Sequence, residues 1–336
     1  MPKERVTLAD VAEKAEVSTM TVSRVLNNKG EISDETRQHV LQVMQELGYR
    51  PNRVARSLAT AKTLRIGVII PSYSSAYFGA ILDGSESVLW ESGYHILLCN
   101  TRGNLNRERA ILELFEEDRV DGVIVLSTRI PTDELNEFLR HQNAAVVINT
   151  MADQSAAGLI YVDEIKSIAL AVNHLLLDGR RHLAYIGMSK ETYAGSERCR
   201  GFEIALQTAG YTVDHTCQIT FITADQFAGF DVIQHLLENN PQIDGLVCFN
   251  DEVAARVLRV CADLGRRVPD DIAVIGYDDI YLAELLTPTL TTLRLKQTKQ
   301  EVGAMAARML LERMENGAKQ TPVILNHDLI IRDSAP

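Results

Sequence analysis

Thr19, Met20, Ser23 and Arg24 lie on one face of a short helix, near its N-terminal end, in the stretch TLADVAEKAEVSTMTVSRVLNN that runs from Thr7 to Asn28. Positioning them takes two helices and a tight turn. Thr7 is a good N-cap, and Asp10 three residues later completes a capping box. Leu8, Val11, Ala12 and Ala15 recur at helical spacing. Glu16 and Val17 fill the turn, Ser18 caps the second helix, and Val22, Val25 and Leu26 form its inward stripe. A braced helix that shows such side chains in its first turn is the geometry of a helix-turn-helix reader of DNA. The same spacing also describes a small amphipathic hairpin packed on the rest of the chain. The residues that follow separate the two readings.

The 336 residues suit two or three domains, and 46% hydrophobic with 24% charged residues is an ordinary globular balance. No apolar run is long enough to span a bilayer, and the start, MPKERVTLAD, lacks the apolar core of a signal peptide. Cys99, Cys199, Cys217, Cys248 and Cys261 are odd in number and form no CxxC pair, so they read as buried hydrophobes in a reducing cytoplasm. A net charge of −11 argues against a chain that coats nucleic acid with its whole surface. The charge is uneven. Residues 1–63 hold ten Lys and Arg against eight Asp and Glu, which leaves −13 on the remainder. A slightly basic segment on an acidic body fits a DNA reader attached to something else.

A third helix follows Ser33, with Asp34 and Glu35 in its first turn, Val40, Val43, Met44 and Leu47 on one face, and Gly48 as its stop. Three short helices have a very small core, so this unit is expected to be only marginally stable. Residues 51–63, PNRVARSLATAKT, read as a two-turn helix capped by Asn52 that forms on docking, or else as an extended tether. From Leu64 onward, buried strands such as RIGVIIPS, YHILLCN and DGVIVLS alternate with amphipathic helices, expected from about Phe78 to Glu91 and from Arg107 to Glu117. That pattern means parallel sheets covered on both faces. An internal echo pairs residues 120–127 with 243–250, and RIGVIIPS with HLAYIGMS. Two copies of one doubly wound unit imply two lobes facing a cleft, with ligands beyond the C-terminal strand ends.

The blocks TLADVAEKAEVSTMTVSRVLNN, ELGYRPNRVARSLAT, RIGVIIPS, NDEVAARVL, VPDDIAVIGYDD and TPTLTTLR, in this order, resemble the lactose-repressor family (LacI/GalR type) of bacterial regulators over essentially the whole chain. The resemblance implies an all-α helix-turn-helix domain over residues 1–51, a hinge helix over 52–63 and a two-lobed α/β effector and dimerisation domain over 64–336, similar to periplasmic sugar-binding proteins. The first lobe is expected over about 64–162 plus 296–324, the second over about 163–293 plus 325–332. The resemblance places base reading on Thr19, Met20 and Arg24, phosphate contacts on Thr7, Ser18, Thr21, Asn27, Ser33 and Asn52, and minor-groove contacts of the hinge on Ala55 and Leu58. Arg24 can fork onto guanine O6 and N7. Each Ser and Thr can also be a plain helix cap, and Leu58 can pack under the effector domain instead of wedging a base step. Pairing through the effector domains implies a homodimer on a near-palindromic operator. A tetramer is not expected, because no leucine heptads follow LNHDLIIRD.

For the effector, the resemblance points to Tyr77, Phe78 and Arg198, while the strand ends offer Arg129, Asn149, Asn250 and Asp278. Each of the latter can equally be a loop residue or a helix cap. Amides, a carboxylate, an arginine and aromatic faces suit a polyhydroxylated ligand, a sugar or a sugar acid, with a purine as the alternative. A solute-binding protein would share the two lobes but not the first sixty residues. An enzyme is not expected, since there is no G-x-G-x-x-G after the first strand, no P-loop, no metal cluster and no nucleophile elbow. No cofactor is expected. His182, His215 and His327 are scattered and have no nameable partners in the sequence.

Overall fold

The computed structural model describes residues 6–26, 30, 32–50, 62–188, 190–213, 218–221, 229–317 and 319–336. The chain divides at Thr63 and Leu64 into two compact units. In the first, α1 (Leu8–Lys14), α2 (Thr19–Leu26) and α3 (Asp34–Leu47) close on Val11, Val22, Val25, Val40 and Val43, all buried. The caps are local and complete. Thr7 Oγ1 accepts from the Asp10 amide, and Asp10 Oδ2 accepts from the Thr7 amide at 2.7 Å. Ser18 Oγ accepts from the Thr21 amide, Ser33 Oγ from the Thr36 amide, and Gly48 ends α3 in the left-handed region at φ 64°.

The second unit runs β1 (Arg65–Ile70), α4 (Ala76–Glu91), β2 (His95–Asn100), α5 (Leu105–Glu117), β3 (Gly122–Leu126), α6 (Thr132–His141), β4 (Ala145–Ile148), β5 (Gly158–Val162) and α7 (Glu164–Leu177). It continues with β6 (Leu183–Met188), α8 (Tyr193–Thr208), β7 (Gln218–Phe221), α9 (Phe230–Asn239), β8 (Gly245–Cys248), α10 (Asp251–Asp263) and β9 (Ala273–Tyr277). It ends with α11 (Leu282–Leu285), β10 (Thr291–Leu295), α12 (Lys299–Asn316), β11 (Val323–Leu325) and β12 (His327–Ile330). Both α4 and α5 begin two residues before their expected starts. For α5 the cause is Asn104, whose side chain accepts from the Arg107 amide.

The strands form two six-stranded sheets, β11-β5-β4-β3-β1-β2 and β12-β10-β9-β8-β6-β7. The internal echo maps onto them strand for strand: β1 and β6 hold the same place, as do β3 and β8. Buried clusters cover both faces of each sheet, as near-continuous apolar strands require. One strand departs from the parallel rule. β12 runs antiparallel to β10, and only Asn326 separates it from β11 of the other sheet.

The chain passes between sheets three times, at Asp163, at 296–298 and at Asn326. The passages are tied together. The Asp163 amide donates to Leu325 O, and the Lys296 amide to Asn326 O. In the first sheet's layer, α4 and α12 touch backbone to backbone. A Cβ on Gly303 would lie 1.8 Å from Ile81 O, and one on Gly84 1.9 Å from Gln300 O. Ser85 Oγ donates to Ile81 O and Gly303 O in the same contact. Only glycine permits so close an approach. Among the described residues no helix is long and apolar enough to cross a membrane, and no cluster of His, Cys, Asp and Glu could hold a metal ion.

Candidate functional site

In the first unit, α2 buries Val22 and Val25 and leaves Thr19, Met20 and Arg24 exposed, Met20 at 63%. An exposed thioether beside a guanidinium contributes nothing to so small a core, so this face is available for contact. Ser18 and Ser33 act as caps through the bonds given above, Thr21 supplies the amide that Ser18 caps, and Ser18 Oγ also bonds Thr21 Oγ1 at 2.9 Å. Asn27, Asn52, Ala55 and Leu58, expected to meet DNA, lie outside the described residues.

In the second unit, the residues that follow parallel strands carry left-handed backbone. Ser127 after β3, Asn149 after β4 and Asp278 after β9 have φ of 49°, 48° and 100°. Such angles in non-glycine residues store strain that the surrounding structure must hold, and they gather at binding edges. Asn149 is buried and doubly used: its Nδ2 donates to Tyr77 Oη at 3.1 Å, and its Oδ1 accepts from the Val162 amide. Phe78 meets the Tyr77 ring edge-on at 5.4 Å between centroids. Burial, and then the Asp278 carboxylate, push the Tyr77 hydroxyl pKa up, so a residue of the first sheet feels a charge on the second. Arg129, after β3, forms an ion pair with Glu191, which follows β6, at 3.4 Å. Its amide donates to Glu108 Oε2, which also accepts from Thr128 Oγ1.

On the second sheet, Arg198 projects from α8 and is 4% exposed. Its Nε and Nη2 donate to the two oxygens of Glu164 at 2.9 and 3.1 Å, and Nη1 donates to Phe249 O. The guanidinium carbon stands 3.5 Å from the Tyr277 ring centroid and 4.6 Å from that of Phe249. Burial works against the Arg198 charge, but Glu164, Tyr277 and Asp278 outweigh it and hold the group protonated. Asp278 is 8% exposed, and burial pushes its carboxyl up to about 6 although Arg198 and Lys299 pull it down. Asn250 spends its side chain on the N-cap of α10, accepting from the Val253 amide. Next to it, Asp251 is fully buried. It accepts from Thr292 Oγ1 and the Ile280 amide, and burial and Asp278 push it up to about 8.

The structure thus brings Tyr77, Asn149, Arg198 and Asp278 toward one another, with Phe78 against Tyr77. It commits Asn250 to the cap of α10 and pairs Arg129 with Glu191. Sequence reasoning missed Glu164, Phe249 and Tyr277, which enclose Arg198. It also left His327 without partners, and this is corrected. His327 is buried, with Nδ1 3.0 Å from Ser167 Oγ and 3.3 Å from Tyr277 Oη, and the Tyr277 hydroxyl also donates to Glu164 Oε2. Burial, then Arg198 and Lys299, hold the His327 pKa well below its usual value, so it is neutral. Only the ordinary spacing of a strand marks Tyr277 and His327 in the sequence.

Comparison with known proteins agrees with this architecture. Residues 7–52 match the family described as "Bacterial regulatory proteins, lacI family", and residues 172–335 match "Periplasmic binding protein-like domain". The chain is 33% identical to the HTH-type transcriptional regulator RegA of Clostridium saccharobutylicum, over 97% of this chain and 98% of that protein. It is 33% identical to the HTH-type transcriptional repressor PurR of Vibrio vulnificus, over 98% of each. Among solved structures it is similar to the lac repressor dimer bound to operator and the anti-inducer ONPF, with a TM-score of 0.84, 25% identity and 99% of each chain covered. It is also similar to a complex of the transcriptional regulator CelR with cellobiose, with a TM-score of 0.72, 28% identity, and 98% of this chain and 100% of that one covered. The chain therefore belongs to the LacI family of bacterial regulators, as a DNA-binding transcriptional regulator whose second unit is an effector-controlled, periplasmic-binding-protein-like domain.

Proposed function

We propose that the protein is a homodimeric repressor that reads a near-palindromic operator through α2 and is controlled by a carbohydrate held between the two sheets of its second unit. On this reading the helix-turn-helix domain spans residues 1–51, a hinge spans 52–63, and the effector and dimerisation domain begins at Leu64. Thr19, Met20 and Arg24 read bases, while Thr7, Ser18, Thr21 and Ser33 fix register on phosphates. The single observation that carries the effector reading is the convergence of Tyr77 and Asn149 from the first sheet's side with Arg198 and Asp278 from the second's, Asn149 and Asp278 standing on strained strand ends. Aromatic faces cover the apolar side of a sugar ring, and the carboxylate and remaining guanidinium N–H groups take its hydroxyls. The cellobiose bound by CelR supports this class. A purine remains the second reading, favoured by the likeness to PurR.

A ligand touching both lobes shifts their orientation only through unequal contacts in the two states. The start of β1 is held to the first sheet by the Leu64 amide, which donates to Asp121 Oδ2 at 2.9 Å. Lobe rotation therefore moves the point from which the chain leaves toward the DNA-binding unit. Two measurements test the proposal. Selection of bound duplexes from a random library should recover a near-palindrome whose affinity falls steeply with salt. A screen of neutral sugars, sugar acids and purines, read by thermal unfolding and by operator release, should find one active class. Asp278→Asn should then lose the response to that compound. A variant that responds normally would move the effector site elsewhere.

A further inference from the structure

Resting on the reading of the cleft as the effector site, we propose that Glu164 makes this cleft select neutral, hydrogen-bond-donating ligands over anionic ones, because it neutralises Arg198 before any ligand arrives. Arg198 is the residue on which an acidic ligand would be expected to settle. In the structure its charge is already met by a bidentate carboxylate whose side chain is completely buried. Three of its five N–H donors are committed, two to Glu164 and one to Phe249 O, and aromatic rings pack on its planar group. Glu164 is held in turn. It is the first residue of α7, where the helix dipole favours a carboxylate, and it accepts from the Tyr277 hydroxyl.

Of the other cations near the cleft, one is paired with a carboxylate and one is bonded to a backbone carbonyl. Arg129 faces Glu191, and Lys299 Nζ donates to Asp279 O at 3.3 Å. Asp278 adds a further acid that forms no ion pair among the described residues, and Asp251 lies behind it. A ligand carboxylate or phosphate entering at Arg198 would therefore meet an acidic side chain and a guanidinium whose charge is already paired. A hydroxyl or an amide N–H would instead donate to Asp278 and accept from the two N–H groups that Arg198 retains. Glu164 acts through Arg198 and is a positioning residue. The structure thereby narrows the effector from a sugar or sugar acid to a ligand without negative charge.

The test uses the full chain and small anions as probes. Thermal unfolding is followed against sodium acetate and sodium sulfate, with sodium chloride at matched ionic strength as reference. The wild type should show no saturable shift. Glu164→Gln should gain one, about 3 °C at tenfold excess over the dissociation constant. Glu164→Asp should restore rejection, and Arg198→Leu in the Glu164→Gln background should abolish the gain. A merely structural role for Glu164 would not create an anion site. The proposal is overturned if the wild type binds these anions saturably, or if folded Glu164→Gln gains nothing. It is also overturned if the compound that releases operator DNA carries a carboxylate or phosphate. Should Glu164→Gln fail to fold, the wild-type titration and the charge of the active compound still decide. If the anion site appears as expected but Asp278→Asn responds normally to that compound, the reading of the cleft fails while the charge balance at Arg198 stands.

Discussion

Arg129 and Glu191 meet at 3.4 Å across the opening between the two sheets, one following β3 and the other β6. The arginine side chain is 11% exposed and the glutamate 64%, so the pair is half in solvent. Such pairs are worth about 0–1 kcal/mol. It forms only when the lobes stand close, so it favours the closed arrangement. Glu191→Gln should weaken effector binding by up to about fivefold at low salt, and the difference from wild type should shrink as salt rises. Equal affinity at all salt concentrations would show that the pair does not bias closure.

The contribution of Asp278 and Asp251 to folding stability should fall as pH rises from 4 toward 8. Asp278 and Asp251 are pushed up to about 6 and about 8, so the folded state binds protons that the unfolded chain releases near pH 4. Their stabilising contribution is full below pH 4 and is lost as pH passes first about 6 and then about 8. For Asp278 the loss is about 3 kcal/mol at 1.36 kcal/mol per pKa unit. Urea unfolding of Asp278→Asn should show a flatter profile between pH 4 and 7.

His327 works with the opposite sign. Its folded pKa lies well below 6.5, so the unfolded chain takes up a proton that the folded chain refuses. Stability from this group is present above pH 6.5 and is lost as pH falls. His327→Gln should be less acid-sensitive than wild type between pH 6.5 and 5, measured in the same unfolding series.

Gly303→Ala should destabilise the second unit by about 1–3 kcal/mol or more, because its Cβ would lie 1.8 Å from a backbone oxygen that no rotamer change can move. Gly79→Ala, also in α4 but with nothing within 4 Å, should be neutral or slightly stabilising. Similar losses in both variants would mean that α4 and α12 do not meet at Gly303.

Arg24→Ala should cost about 1–3 kcal/mol of discrimination at one guanine per half-site. Met20→Ala should change base preference by a smaller amount, since a thioether offers contact and no strong hydrogen bond. Competition between the selected operator and duplexes altered one base pair at a time would show either loss. Unchanged selectivity in Arg24→Ala would remove α2 from the role of reader.

The sequence by itself determined what depends on near neighbours. Thr7 with Asp10, Ser33 with Thr36 and Gly48 at the end of α3 act within four residues, so their roles are visible as spacing. The alternating sheets and their internal echo follow from runs of apolar residues, which parallel strands buried on both faces must have. The strand-end positions of Asn149, Asn250 and Asp278 were equally legible. Only tertiary structure decided what those side chains do. Asn250 turned to its own helix, while Asn149 reached Tyr77, 72 residues away. Arg198 was marked in the sequence by the family resemblance, but Glu164 lies 34 residues before it and Phe249 51 after it. Tyr277 reaches the same carboxylate from 113 residues away. Charge compensation acts through space, and two packed sheets set those distances. A sequence shows that an arginine is present, and only the fold shows whether its charge is already answered.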